Sequence, residues 1–481
     1  MRCQLTGFIL LAASALPAQT KADSALVARL LTAEDRRDSA AAAFREGLAS
    51  PNPQVRLIAA RGWARVKDSA FAKRDSLPAP SAAPAYLDPD WRLRFRALAR
   101  KPLDCSLLRA GPGDDDPHVV LRAIDLMSAE CSNATVLTEL TRLVSAPSRT
   151  SARKRGHASW QLPAHSLVTL ARLSPGTSRT PLSRLAKSSI PWVRVYAARA
   201  ARELDDTTTL RALAADPDDN VKEAAVDGLA KVAGHSADDT YLRALDARGY
   251  QAIRAAAVAL EGTPRSEDVI RAGQRVLARL RADSSETSRD ARVAVADRLR
   301  EAGVANVSAE LLKAPAPVPL APEAAALAFG KQVVLRVTLA DSSGGGHFDV
   351  RLRGDVAPIT TARVLQLVRS GFYNNRAWFR VEPDFVIEGG GPGNNEYVGY
   401  PRFFRDELSA LPQVRGTVGM STRGHDTGDA QWFVNLRDNL RLTRDYTSFG
   451  EVIDGIDVVD GILEGDVIAR IEVVSSSAPR R

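Results

Sequence analysis

The sequence predicts two domains of unlike class, an all-α helical solenoid followed by a mainly-β closed barrel with two capping helices. Three observations lead there. A chain of 481 residues is too long for one hydrophobic core and should divide into at least two. A short helix-opening phrase recurs through the first two-thirds. After a proline-rich stretch the apolar period changes from 3.6 to 2 at about Lys331, the change from helix to strand.

Composition narrows the class. With 45% hydrophobic and 25% charged residues the chain reads as an ordinary soluble protein, neither a membrane bundle nor wholly disordered. The net charge of +8 is unevenly placed: from Lys331 onward 18 Lys+Arg face 20 Asp+Glu, so the preceding part carries +10. A basic surface can bind nucleic acid. Here the arginines are interleaved with acids at helical spacing, the pattern of a solvated face, and no nucleic-acid partner is expected.

Residues 1–18 read as a signal peptide. Met1-Arg2 is the positive start, Leu5 to Leu16 the apolar run and Pro17-Ala18-Gln19 the cleavage zone. The run is short for a transmembrane helix, which needs roughly 20 residues. The expectation is an exported, periplasmic or extracellular protein that does not span the membrane once the signal is removed. Cleavage would leave Cys105 and Cys131. Their spacing is compatible with a disulfide in an oxidising compartment and equally with two buried thiols.

Residues 22–313 form the helical part. The phrase reads Asn52-Pro53-Gln54-Val55-Arg56, then Asp88-Pro89-Asp90-Trp91-Arg92, Asp116-Pro117-His118-Val119, Ile190-Pro191-Trp192-Val193-Arg194 and Asp216-Pro217-Asp218-Asp219-Asn220-Val221-Lys222. Looser copies follow at Tyr250 and Arg289. Proline in a first turn loses no needed hydrogen bond, and a preceding Asp or Asn can cap the free N–H groups. Alanines on one helical face let neighbouring helices approach closely. In its proline, valine-arginine and alanine positions the phrase resembles the HEAT repeats, which implies a curved solenoid offering an extended surface to a protein partner. His118, His157, His165 and His235 lack the spacing of a zinc helix and are expected at caps or on the surface. Leu77 to Pro84 reads as a loop between repeats, and residues 314–330 as a semi-rigid Pro/Ala-rich linker.

Residues 331–475 form the barrel, with 476–481 as a tail. Val333 to Leu339 and His347 to Leu352 read as a hairpin around Ser342 to Gly346. Pro358 opens a helix through Ser370, a second short helix lies within Glu451 to Ile462, and Val467 to Val474 is the last strand. Five segments carry the chemistry. They are Ala357-Pro358-Ile359-Thr360, the strand Phe379-Arg380-Val381-Glu382-Pro383-Asp384-Phe385-Val386-Ile387-Glu388-Gly389-Gly390, Gly416 to Met420, Gln431-Trp432-Phe433-Val434 and Asp445-Tyr446-Thr447-Ser448-Phe449-Gly450. One arginine is gathered with apolar and aromatic side chains, without a metal-ligand cluster or a nucleophile–base pair. That combination suggests an apolar pocket with one fixed cation, and calls for no metal or cofactor.

In that order the five segments resemble the cyclophilin-type peptidyl-prolyl cis-trans isomerases. The resemblance implies that Arg380 is the catalytic donor and that Phe385, Val386, Phe433 and Leu442 wall a proline pocket. It further implies that Gln431 hydrogen-bonds the substrate backbone and that Ser421 and Thr422 lie on the strand edge along which the peptide runs. Tyr446 stands where animal members carry histidine. Glu388 departs from the family's usual glutamine: a carboxylate there can hold Arg380 or compete for its donors. Thr422 replaces a common asparagine, and Arg441 the tryptophan that favours cyclosporin, so weak binding of that drug is expected. The expected function is isomerisation of X-Pro bonds in exported, folding client proteins, with the repeats as a protein-binding scaffold. The alternative is a non-catalytic proline-peptide binder with an impaired site.

Overall fold

The computed structural model describes residues 20–67, 88–145, 159–308, 319–320 and 323–474. The expected signal peptide, the 77–84 loop, residues 314–318 and 321–322 of the linker, His157 and the 476–481 tail lie outside them.

The recurring phrases do open helices. Six of these stack in succession together with Gln161–Leu173, which no copy of the phrase opens: α1 (Asp90–Leu98), α2 (Pro117–Leu126), α3 (Gln161–Leu173), α4 (Pro191–Glu203), α5 (Asp219–Val232), α6 (Tyr250–Ala259) and α7 (Arg289–Glu301). A second row, including Thr207–Leu213, Asp238–Ala244 and Ser266–Ala282, packs against them from one side. Small residues permit the stacking: Ala197, Ala198, Ala200 and Ala201 on α4 and Ala252, Ala255, Ala256 and Ala257 on α6 are all buried. The capping expected of the residue before the proline is present at Asp116, which accepts from the His118 N–H at 2.9 Å; after Pro217 the cap is instead Asp218, which accepts from Asn220 and Val221, and α1 starts after Pro89 without a side-chain cap. Cys105, the first residue of the short helix Cys105–Ala110, is joined by a disulfide to Cys131 in the turn after α2, with Cα atoms 4.8 Å apart.

The C-terminal part is a closed antiparallel barrel. Its strands are β1 (Val334–Leu339), β2 (His347–Leu352), β3 (Arg376–Val381), β4 (Val386–Gly389), β5 (Thr417–Met420), β6 (Trp432–Asn435), β7 (Ser448–Asp454) and β8 (Val467–Val474). They run β1-β2-β7-β5-β6-β4-β3-β8 around the barrel, and β8 pairs with β1 to close it. Helices Pro358–Arg369 and Ile456–Asp460 accompany the strands. The long segment from Phe379 to Gly390, expected as one strand, is instead the β3–β4 hairpin. Pro383 cannot donate to a ladder, and the chain reverses through Glu382 to Phe385, with Phe385 N–H donating to the Glu382 carbonyl at 2.8 Å.

The two parts are not independent. Helices Lys21–Asp35, Ala42–Leu48 and Pro53–Lys67 bury Val27, Leu30, Leu31, Phe44, Val55 and Ala59 in the same apolar cluster as the barrel interior. A short helix, Ala324–Ala328, lies inside the stretch expected to be linker and buries Ala324, Ala325 and Leu327 there. The stacked helices meet the barrel mostly through residues of their first turns. Arg92 reaches Asp460, Gln161 the Glu464 carbonyl, and Asn220 the Gly393 carbonyl. Tyr196, one turn further along α4, donates to the Glu464 carboxylate at 2.6 Å, and Arg423 pairs with Asp290 of α7 at 2.6 Å. Part of the helical surface thus packs on the chain's own barrel. The same contact corrects the reading of His118: it is buried, stacked on Trp91 at 4.8 Å, with Nε2 2.9 Å from the Asp460 carbonyl.

Candidate functional site

The hairpin places the site's central pair. Arg380 on β3 and Glu388 on β4 are directly opposite in the ladder, so their side chains leave the same face of the barrel wall. Arg380 Nη1 donates to Glu388 Oε2 at 3.3 Å, while about half of the Arg380 side chain stays exposed. The other carboxylate oxygen of Glu388 accepts from the Ser421 hydroxyl. Burial raises the Glu388 carboxyl above its ordinary range, against the lowering effect of Ser421 and Arg380. Among the described residues, Nη1 is the one guanidinium nitrogen of Arg380 engaged in a hydrogen bond. The glutamate therefore holds the arginine through one nitrogen and leaves Nε and Nη2 to donate elsewhere.

Beside this pair lies a small apolar cluster separate from the barrel core. Val386, Phe433 and Leu442 are buried in it, and Phe385 and Tyr446 pack on it. Register explains the grouping: Glu388 on β4 faces Phe433 on β6, which in turn faces Gly419 on β5. A side chain at 419 would overlap the Phe433 ring, so glycine there seats the pocket wall. Tyr446 meets Phe433 edge to face at 5.6 Å. Two guanidinium groups lie over Phe385, Arg380 at 5.8 Å and Arg441 at 4.8 Å. Phe449, by contrast, belongs to the main barrel core.

The polar residues expected along the peptide edge are placed differently from one another. Ser421 follows β5 with its N–H on the Gln431 carbonyl at 2.9 Å and its hydroxyl committed to Glu388. Thr422 is the next, partly exposed residue. Gln431 is almost wholly buried, its Nε2 donating to Asp429 at 3.2 Å and to the Glu396 carbonyl at 3.3 Å. Its Oε1 is buried too and has no partner, so Gln431 presents no exposed polar atom to a peptide. Gly419, and the array residues that face Arg380, escaped the sequence reading. The first was legible only as part of a motif, and nothing in the repeats signalled the second.

Arg380 opens into a cleft of about 550 Å³ between the barrel and the array. Phe379, Val381 and Glu382 line it from β3 and the turn that follows; Tyr196, Glu223 and Asp227 are among its residues on α4 and α5.

Residues 335–476 match the family described as cyclophilin type peptidyl-prolyl cis-trans isomerase/CLD. A probable peptidyl-prolyl cis-trans isomerase of Brucella suis biovar 1 (strain 1330) is 34% identical over 137 residues, 25% of this chain and 68% of that protein. The chain belongs to the cyclophilin family. Peptidyl-prolyl cis-trans isomerase B of Escherichia coli (strain K12) is 35% identical over 128 residues, 24% of this chain and 78% of that protein. The cyclophilin barrel is thus a peptidyl-prolyl isomerase domain carried at the end of a longer helical chain. A solved cyclophilin-type isomerase of Cryptosporidium parvum is 23% identical, covers 30% of this chain and 99% of its own, and gives a TM-score of 0.28.

Proposed function

We propose that the protein catalyses cis/trans isomerisation of X-Pro bonds in exported client polypeptides, with Arg380 as the catalytic donor. The trans form of an X-Pro amide is favoured by only about 0.5–1 kcal/mol. Rotation nevertheless faces a barrier of roughly 18–20 kcal/mol, because the amide is conjugated. In the twisted amide the prolyl nitrogen becomes pyramidal and regains a lone pair. A guanidinium N–H aimed at that nitrogen stabilises the twisted form more than either planar one, which is what lowers the barrier. Val386, Phe433, Leu442 and Phe385 hold the pyrrolidine ring while the preceding carbonyl swings. The backbone after β5 fixes the peptide.

The observation that carries this reading is the position of Arg380, tethered to Glu388 through one nitrogen beside the apolar cluster of Val386, Phe433 and Leu442. It is tested by a protease-free isomerisation assay on a short Ala-Pro peptide with the full chain and with Arg380→Ala. A fall of at least tenfold in kcat/KM is expected; equal rates would overturn it.

The exported setting is supported by the pattern of residues 1–18 and by the Cys105–Cys131 disulfide, a bond that persists in oxidising compartments. Residues 1–30 fused to a reporter active only outside the cytoplasm should export it, with the mature chain starting at Gln19. Retention of the reporter would remove this part of the proposal.

A further inference from the structure

The cleft at Arg380 does not end beside the catalytic arginine. Glu396 and Tyr397 line both it and a second cavity of about 590 Å³, whose array wall is α6 and α7. Tyr397 sits under the guanidinium groups of Arg254 at 4.9 Å and Arg423 at 5.5 Å. The two cavities together follow the array from α4 to α7. At neighbouring-helix distances of 8–10 Å, three helix steps make a groove about 25–30 Å long, room for about eight residues of extended chain.

The walls of this groove have a definite chemistry. In the first cavity the arginines are already engaged: Arg199 lies over Tyr196 at 4.4 Å, Arg202 pairs with Glu203, and Arg380 with Glu388. Glu223 and Asp227, one helical turn apart on α5, have no ion pair among the described residues. Burial first, and then the Asp227 carboxylate, push Glu223 up to about 8, against the lowering effect of Arg254 and Arg199. In the second cavity Val258 and Val293 are exposed at 49% and 39%. Unpaired acids followed by exposed aliphatic residues complement a chain that carries a basic side chain and then an apolar one.

We propose that the helical array is the second wall of the substrate groove, holding an extended polypeptide segment with its proline at Arg380, a basic side chain against Glu223 and Asp227 and an apolar one against Val258 and Val293. The inference rests on the isomerase reading for the position of the proline. It makes Glu223 and Asp227 specificity-determining residues supplied by the array rather than by the barrel. Continuity with the catalytic arginine selects the occupant: the client segment itself, rather than a second copy of the chain or a nucleic acid.

The test uses the full chain and fluorescein-labelled nine-residue peptides containing one Ala-Pro. The third residue before or after the proline is Lys, Gln or Glu. By anisotropy, one of the two Lys placements should bind about tenfold more tightly than its Glu counterpart. In the Glu223→Gln, Asp227→Asn double variant the ratio should fall to within twofold. In isomerisation assays the same preference should appear in KM rather than kcat, each protein being normalised to its own rate on a four-residue Ala-Pro peptide. Should the double variant fail to fold, the wild-type ratio must still shrink several-fold between 0.05 and 0.5 M salt. A wild-type ratio near one, a ratio that survives the double substitution or high salt, or equal competition by an oligonucleotide would each overturn the proposal. Failure of the isomerase reading is told apart because it shows in the four-residue peptide alone, as equal rates for wild type and Arg380→Ala. The Lys-to-Glu binding ratio stands or falls independently of that result.

Discussion

Arg92 of the array and Asp460 of the barrel are joined by a hydrogen-bonded ion pair at 2.9 Å in which the arginine side chain has no exposed surface. Arg415 binds the same carboxylate through both terminal nitrogens at 2.8 and 2.6 Å. Arg92 also donates to the Leu436 and Pro383 carbonyls, the latter within the β3–β4 turn. One array side chain therefore touches both the end of β6 and the turn that aims Arg380.

Removing a member of such a group leaves buried acceptors unpaired. Arg92→Ala should destabilise the full chain by about 3–5 kcal/mol, the usual cost of breaking a buried pair, measured by denaturant unfolding. The excised segment 331–481, which loses Arg92 together with the apolar contribution of residues 21–67, should melt well below the full chain. Identical unfolding midpoints for Arg92→Ala and wild type would contradict the reading of this contact.

Glu388 gives the catalytic step a pH dependence of stated sign. Its carboxyl is raised by burial, so part of the population is neutral at pH values where an exposed glutamate is fully ionised. Ionisation strengthens the bond to Arg380, a charge-assisted one, and fixes an otherwise half-exposed side chain. The isomerisation kcat/KM should rise with pH as Glu388 ionises, and the rise should disappear in Glu388→Gln. A wild-type rate that falls with pH over the same interval, while the Gln variant stays flat, would show that the carboxylate competes for the donors instead.

Buried acids also shape the stability curve. Glu223 is raised from 4.5 to about 8, by burial and then by Asp227, and Asp429 from 3.8 to about 7 by burial. For both, the fold holds protons that the unfolded chain has released, so stability falls as pH rises from about 4 to 8. Asp349, lowered by its bond to Arg336, and Asp104, lowered by the Ser106 hydroxyl, act oppositely. Their contribution is present above 3.8 and is lost as pH falls further. Thermal melts at pH 3, 5 and 8 should give the highest midpoint at pH 5; a midpoint climbing from pH 5 to 8 would refute this assignment.

Gly419→Ala tests the seating of the pocket wall. The added methyl overlaps the Phe433 ring, and overpacking of this kind typically costs about 1–3 kcal/mol. The expected result is a raised KM for proline peptides, by roughly tenfold, with Arg380 left in place. Unchanged kinetics in a folded variant would mean that Phe433 does not wall the substrate.

Much of the barrel was legible because its signals are local. The Ser342 to Gly346 turn, the Pro358 helix start and the last strand, Val467 to Val474, each announce themselves within ten residues. The pocket was legible through motifs, since Val386, Phe433 and Leu442 lie far apart in the chain and no periodicity joins them. The β3–β4 reversal carried a readable sign in Pro383, which a continuous apolar motif masked. What could not be read was the docking of array on barrel. Arg92, His118, Gln161 and Asn220 look like solvated first-turn residues, because a polar side chain that meets a carbonyl 173 or more residues away has the same sequence signature as one that meets water.

The apolar cluster shared by residues 21–67 and the barrel has a consequence in time. Arg65, which donates to the Leu408 carbonyl 343 positions later and to the Val356 carbonyl 291 positions later, belongs to the part of the chain synthesised first. Its partners are made near the end. At about 5–20 residues per second of synthesis, the leading helices wait on the order of fifteen seconds to a minute with Val27, Leu31 and Phe44 uncovered. Pairings so distant in sequence are also slow to close. For that interval the chain carries apolar helical faces whose cover has yet to be made.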